Sequence, residues 1–153
     1  GKVDPERLDK AVGMLASAET IYLIGLRRSF PVTSYISYAM GKSGIRNILV
    51  DGVAGLGAEQ VGFIGRGDTV IAVSFAPYAS QTVSLVDIAA ARGAGIVAVT
   101  DSVFSPIAPP ADVVLEVVEA NFEGFRSLAA TMALAISLTV AVAASRGGEQ
   151  APA

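Results

Sequence analysis

The chain of 153 residues contains no cysteine, no histidine and no tryptophan, and only 16% of its residues are charged. Each absence removes a kind of chemistry. Without His or Cys, zinc sites built on imidazole or thiolate, iron–sulfur clusters, thiol nucleophiles and the Ser–His–Asp triad all lack a required group. Any catalysis therefore falls to carboxylates, Lys, Tyr or hydroxyls, and no cofactor is expected. The lack of cysteine also means no disulfide framework, which fits a reducing cytosol, so a cytoplasmic location is the expectation. Eleven basic residues against fourteen acidic ones give a net charge of −3. That balance carries no electrostatic footprint for nucleic acid. Nothing at the N-terminus resembles a secretory signal, and Gly1 in place of Met leads us to expect a piece of a longer protein.

What is present is apolar: 52% of the chain, enough for one domain with a substantial core and too much for intrinsic disorder. Leu128 to Ala144 carries no charge, yet at 17 residues it is short of the roughly 20 that a bilayer core needs. It is largely Ala, includes Thr131, Ser137 and Thr139, and lacks an aromatic belt. We read it as a core helix buried on most sides, and no membrane partner is expected.

Along the chain, apolar runs alternate with helical stretches. Asp4-Pro5 opens a first helix, Asp as cap and Pro in the first turn, with Leu8, Val12 and Leu15 on one face to about Ala18. Ile21–Ile24 reads as a strand ending at Gly25, and a helix follows from Pro31 to Ser43-Gly44. Asn47–Asp51 is a second buried run, then a helix around Gly57–Ile64. Thr69–Ser74 is a third run, and Ser80–Arg92 a helix with Val83, Val86, Ile88 and Ala90 inward. Gly95–Thr100 and Asp112–Val117 complete the strands. A last helix is expected from a cap at Asn121 to about Ser145, with a frayed tail over 146–153. Strands that are apolar throughout are covered on both faces, which marks a parallel sheet between two helical layers. The expectation is an α/β protein, one three-layer α/β/α sandwich, with its core over residues 4–145.

Ligands of such sheets bind at the carboxyl ends of the strands, where strand order reverses. Four loops follow strands there: Arg27–Phe30, Asp51–Gly57, Ser74–Ser80 and Asp101–Ser105. The first offers two guanidiniums, Arg27 and Arg28, and the hydroxyl of Ser29 just before a helix, where free N–H groups favour an anion. The third offers Ser74, Tyr78, Ser80 and Thr82 at another helix start. Ser80 and Ser105 have N-capping as their plainer role, and Asp101 has the ordering of its own turn. Asp51 at the end of the second strand suggests a ribose contact, but Gly25-Leu26-Arg27-Arg28-Ser29-Phe30 lacks the glycines that bring backbone close to a pyrophosphate. A dinucleotide is not the expected ligand.

Three segments carry a resemblance: IYLIGLRRSFPVTSYISYAM (Ile21–Met40), DTVIAVSFAPYASQT (Asp68–Thr82) and ARGAGIVAVTDSVFSPIAPPA (Ala91–Ala111), with Thr100–Pro106 the most specific part. Over about residues 4–145 the chain resembles a SIS (sugar isomerase) domain, most closely the effector domain of RpiR-type transcription regulators. The resemblance implies a five-stranded parallel sheet in the order 2-1-3-4-5, as in flavodoxin-like folds. It also implies dimers or tetramers whose sites borrow from a neighbour, with Asn121–Arg126 as the lending segment. Such regulators contact DNA through a separate N-terminal helix-turn-helix domain, which nothing in these 153 residues resembles.

By position, Ser29 matches the family's phosphate-binding serine and Ser74 begins its second phosphate loop. The departures lie in Phe75-Ala76-Pro77-Tyr78-Ala79, where Ala76 and Ala79 replace expected hydroxyls and Pro77 an expected Gly. The expected function is therefore sensing of a small anionic carbohydrate derivative, a sugar phosphate or a sugar acid, at Arg27, Arg28, Ser29, Ser74, Tyr78, Ser80, Thr82 and Asp101. The alternative is a phosphosugar isomerase acting through Asp51, Asp101, Glu119 or Glu123.

Overall fold

In this computed structural model residues 3–147 are described; Gly1 and the 148–153 part of the expected tail lie outside them. Helix α1 (Pro5–Ser17) starts where Asp4 accepts a hydrogen bond from the Glu6 N–H at 2.9 Å, with Pro5 at a position that needs no donor. Strands β1 (Ile21–Gly25), β2 (Asn47–Val50), β3 (Thr69–Ser74), β4 (Gly95–Thr100) and β5 (Val113–Glu116) form one parallel sheet in the order β2-β1-β3-β4-β5. The crossovers are α2 (Phe30–Lys42), α3 (Gly57–Val61) and α4 (Ser80–Ala91), and α5 (Ala129–Gly147) ends the described chain.

Side chains along the central strands alternate between two cores. Leu23, Ile71, Val73, Val97 and Leu115 face the layer of α1, α2 and α5, where Leu15, Ile36 and Leu138 meet them. Ile24, Val70, Ala72, Ile96 and Ala98 face α4 and the α3 region, through Ile64, Leu85 and Val86. Both faces of the sheet are therefore covered, as continuous apolar strands require.

Four particulars differ from expectation. β2 lies at the sheet edge, as the order 2-1-3-4-5 implies, but it is not the buried run expected: Ile48 is 41% exposed. On α4 the buried residues are Thr82, Leu85, Val86 and Ala89, not Val83, Ile88 and Ala90, which are only partly covered. Residues 121–126 do not begin the last helix. They form a small antiparallel hairpin, β6 (Asn121–Phe122) and β7 (Phe125–Arg126), because Glu123 and Gly124 both take positive φ, 50° and 86°, and no helix passes through that conformation. Finally, only a third of α5 is buried, so it is not a core helix covered on most sides. By length and composition α5 could cross a bilayer, but it packs between α1 and α2 on the sheet. Its end is not frayed at Arg146, which donates to the carbonyls of Ala16 and Ala18 at 2.9 and 2.6 Å.

Candidate functional site

Gly25 pairs with Val73 at the ends of β1 and β3, and β1 lies between β2 and β3, so the two loops leave the sheet side by side at the point where strand order reverses. Between them is a cavity of about 220 Å³. Its polar wall is Arg27, Arg28, Ser29, Ser74 and Thr82, and Phe75 and Pro77 supply apolar surface. Ser29, Ser74 and Thr82 are buried, Thr82 in the first turn of α4. The unpaired N–H groups at the starts of α2 and α4 add partial positive charge at this end of the sheet. Larger clefts of about 490 Å³ occur elsewhere, one beside Arg7 and Asp112 at the free edge of β5 and one beside Glu19 and Arg46 at the amino ends of β1 and β2. Neither is at the carboxyl ends of the central strands, and neither joins two strand-end loops, so size alone does not recommend them.

Arg28 is the central side chain. Its guanidinium sits 5.2 Å from the centroid of the Phe75 ring, and its Nη2 donates a long 3.4 Å bond to the Ala76 carbonyl. Its Nη1 is the buried side-chain polar atom left without a hydrogen-bond partner among the described residues. A buried charged donor without an acceptor is costly, and a bound anion would supply that acceptor. Arg27 also lines the cavity but is exposed and takes φ of 55°.

Behind Phe75 a second cavity of about 270 Å³ opens, lined by Arg28, Asp101, Glu119, Asn121 and Arg126. Asp101 accepts from the Ala76 N–H at 3.0 Å and from the Tyr78 hydroxyl, and stands 4.0 Å from the Arg126 guanidinium. Burial alone would raise the Asp101 carboxyl; the bonds from Tyr78 and the Ala76 N–H outweigh it and hold the group below the usual carboxylate range. The Tyr78 phenol is pushed up, first by burial and then by that carboxylate. Arg126 donates to the Ala76 carbonyl at 2.6 Å, so the hairpin is tied to the loop after β3.

The residues singled out in the sequence thus separate into three groups. Arg27, Arg28, Ser29, Ser74 and Thr82 share the first cavity, and Asp101 lines the second. Tyr78 lines neither and instead braces Asp101. Ser80 is exposed at the start of α4, outside both walls, and makes no cap: the capping position belongs to Ala79. Glu119 and Arg126 enter from the connection between β5 and α5. The loop after β5 was not among the four strand-end loops read from the sequence, where its residues entered only as candidate carboxylates and as a segment lent to a neighbour; the rule that led to the other loops applies to it equally.

A cis Ala76–Pro77 bond shapes the loop between the cavities. The fold, with its site at the strand ends, is that of a SIS-type α/β domain, and residues 14–144 match the SIS domain family, to which the chain belongs. It is 26% identical to the sugar isomerase domain of an RpiR transcription factor from Sphaerobacter thermophilus, with a TM-score of 0.88 over 95% of this chain and 82% of that one. The Vibrio vulnificus NanR protein, complexed with ManNAc-6P, shares the fold at a TM-score of 0.80 and 22% identity, over 96% of this chain and 55% of that one. The bifunctional protein glk of Paraburkholderia xenovorans is 32% identical over 72% of this chain. The chain spans only 17% of that relative's length.

Proposed function

We propose that this domain is the ligand sensor of an RpiR-type transcription regulator, that it binds a small anionic carbohydrate derivative between the β1 and β3 loops, and that it is not an enzyme. The observation that carries the reading is Arg28, whose buried Nη1 has no acceptor at the mouth of a cavity with three buried hydroxyl residues. The likeness to an RpiR sugar isomerase domain and to NanR, which is complexed with ManNAc-6P, supports it. The reading places the protein in the cytoplasm, and contact with DNA belongs to a separate domain.

An isomerase needs a free base beside the substrate carbon. Three of its four candidate carboxylates are already engaged. Asp51 accepts from Gln60 and the Val53 N–H, which in that order hold it below the usual range. Asp101 is bound as described. Glu119 accepts from the N–H groups of Ala130 and Thr131 and from the Thr131 hydroxyl, so its carboxylate caps α5. Glu123 is exposed in the hairpin turn.

Thermal shift against paired sugar phosphates and sugar acids tests the reading. At a hundred times its dissociation constant a ligand should stabilise the fold by about 2.7 kcal/mol. Arg28→Ala should abolish that shift, and Arg27→Ala should weaken it less. Full affinity in Arg28→Ala, or turnover of a sugar phosphate by the unaltered chain, overturns the proposal.

A further inference from the structure

The second cavity holds two carboxylates and two guanidiniums, a balance that looks neutral until the hydrogen bonds are assigned. A carboxylate offers about four lone-pair sites. Those of Asp101 are taken by the Ala76 N–H, the Tyr78 hydroxyl, a 3.4 Å bond from Thr100 and the Arg126 charge. Glu119 receives three bonds from the start of α5. Both acids therefore have most of their acceptor capacity, three bonds each, engaged by the protein.

The cations are in the opposite condition. A guanidinium carries five N–H donors in a planar fork. Arg126 commits Nη1 to the Ala76 carbonyl, and no other nitrogen of it is hydrogen-bonded among the described residues. Its side chain keeps 38% of its exposure, so it remains reachable from the cavity. Arg28 on the shared wall has its own unpaired Nη1. What this cavity has left to offer a ligand is charged donors, whose best partner is a planar, acceptor-only group that a fork can grip with two parallel bonds. A hydroxyl or an amine would use little of that capacity.

We infer that the second cavity recognises a carboxylate through Arg126, so that the ligand is acidic at two ends, a phosphorylated or otherwise anionic sugar acid with one acid in each cavity. This rests on the proposal that the first cavity binds an anionic carbohydrate. Arg126 is then a specificity residue, and the hairpin β6–β7 exists in part to deliver it.

Calorimetric titration with three open-chain compounds tests the inference on the unaltered protein: 6-phosphogluconate, glucitol 6-phosphate, which differs from it only in lacking the carboxylate, and gluconate, which lacks the phosphate. We expect 6-phosphogluconate to bind at least tenfold more tightly than glucitol 6-phosphate. Arg126→Gln should bring that ratio to about one; because Arg126 also ties the hairpin to the Ala76 carbonyl beside the first cavity, the readout is the ratio of the two affinities and not either affinity alone. Equal binding of the two phosphates by the unaltered chain, or a ratio that survives Arg126→Gln, overturns the two-acid inference and leaves the sensing proposal standing. If none of the three compounds binds at millimolar concentration, the sensing proposal fails with it.

Discussion

The Tyr78 hydroxyl donates its hydrogen bond to Oδ1 of Asp101, and that one bond ties the loop after β3 to the loop after β4. Together with the Ala76 N–H on the other carboxylate oxygen, it holds the segment Phe75–Ala79 against the sheet, and with it one wall of the first cavity. Tyr78→Phe deletes the bond and keeps the ring. A hydrogen bond to a charged acceptor is worth about 1.5–3 kcal/mol, so the variant should melt several degrees lower and bind any ligand of the first cavity more weakly. An unchanged melting temperature would count against the brace.

The same pair makes stability depend on pH in two separate windows. Asp101 titrates lower in the folded chain than when unfolded, so its contribution is complete above the unfolded value near 4 and is lost as pH falls through the depressed folded value. Tyr78 titrates higher when folded, so its contribution is complete below about 10 and is lost as pH rises through the raised value. Urea midpoints measured across pH should fall at both ends, and Tyr78→Phe should flatten the alkaline side. An alkaline limb identical in the variant assigns that loss to another group.

Gly25 is needed for space. A Cβ there would stand 2.8 Å from Cγ2 of Thr33 and 3.2 Å from the carbonyl oxygen of Ser29. Thr33 is fully buried and Ser29 nearly so, so neither can retreat into solvent. Gly25→Ala should cost about 1–3 kcal/mol, the usual range for overpacking, and should displace the Arg27–Ser29 turn. Ligand affinity is therefore expected to fall by more than Thr33→Ala reduces it. Normal stability and binding in Gly25→Ala would mean that the strand end yields where it is drawn as rigid.

The central strands were legible because runs such as Thr69–Ser74 are apolar at every inner position, Val70 to Val73, and in the structure all six residues are buried. The same signal overstated the burial of β2, because Ile48–Val50 is equally apolar but the strand lies at the sheet edge, with a neighbour on one side only. On α4 the apolar residues run most of the way round the helix, so periodicity could not choose between Val83 and Leu85. There the decision is made by tertiary packing against Ile96 and Ala98. The first half of the site was readable from hydroxyls and guanidiniums next to helix starts. Arg126, expected only in a segment lent to a neighbour's site, was not readable as a wall of the chain's own cavity, because reaching Ala76 requires a hairpin whose two-residue strands are too short to show alternation. The available signal was Glu123-Gly124, a turn dipeptide inside what was taken for helix.

Glu119 separates a binding domain from an enzyme. Its carboxylate is bound to three donors at the start of α5. Glu119→Gln keeps the shape and removes the charge, so α5 should lose about 1–2 kcal/mol of capping and dipole stabilisation. Affinity for a sugar phosphate in the first cavity should change little. If the unaltered chain turns over a sugar phosphate and Glu119→Gln abolishes it with stability intact, Glu119 is a base and the non-enzyme proposal is wrong.

The outer face of α5 bears on assembly. Thr131, Ala135, Leu138 and Val142 point into the chain, while Ile136 and Val140 remain 41% and 62% exposed on a helix with few polar residues. Apolar surface of this kind marks an interaction site, and the proposed occupant is a second copy of the chain. Sedimentation at tens of micromolar should therefore show a dimer or larger. Val140→Glu places a charge where the folded chain itself buries little, so it should leave each subunit folded yet shift the sedimenting species to monomer. Because association stabilises by mass action, the melting temperature of the unaltered protein should rise with its concentration and that of Val140→Glu should not. A monomer at the highest concentration, with a melting temperature independent of dilution, would show that this face meets only solvent.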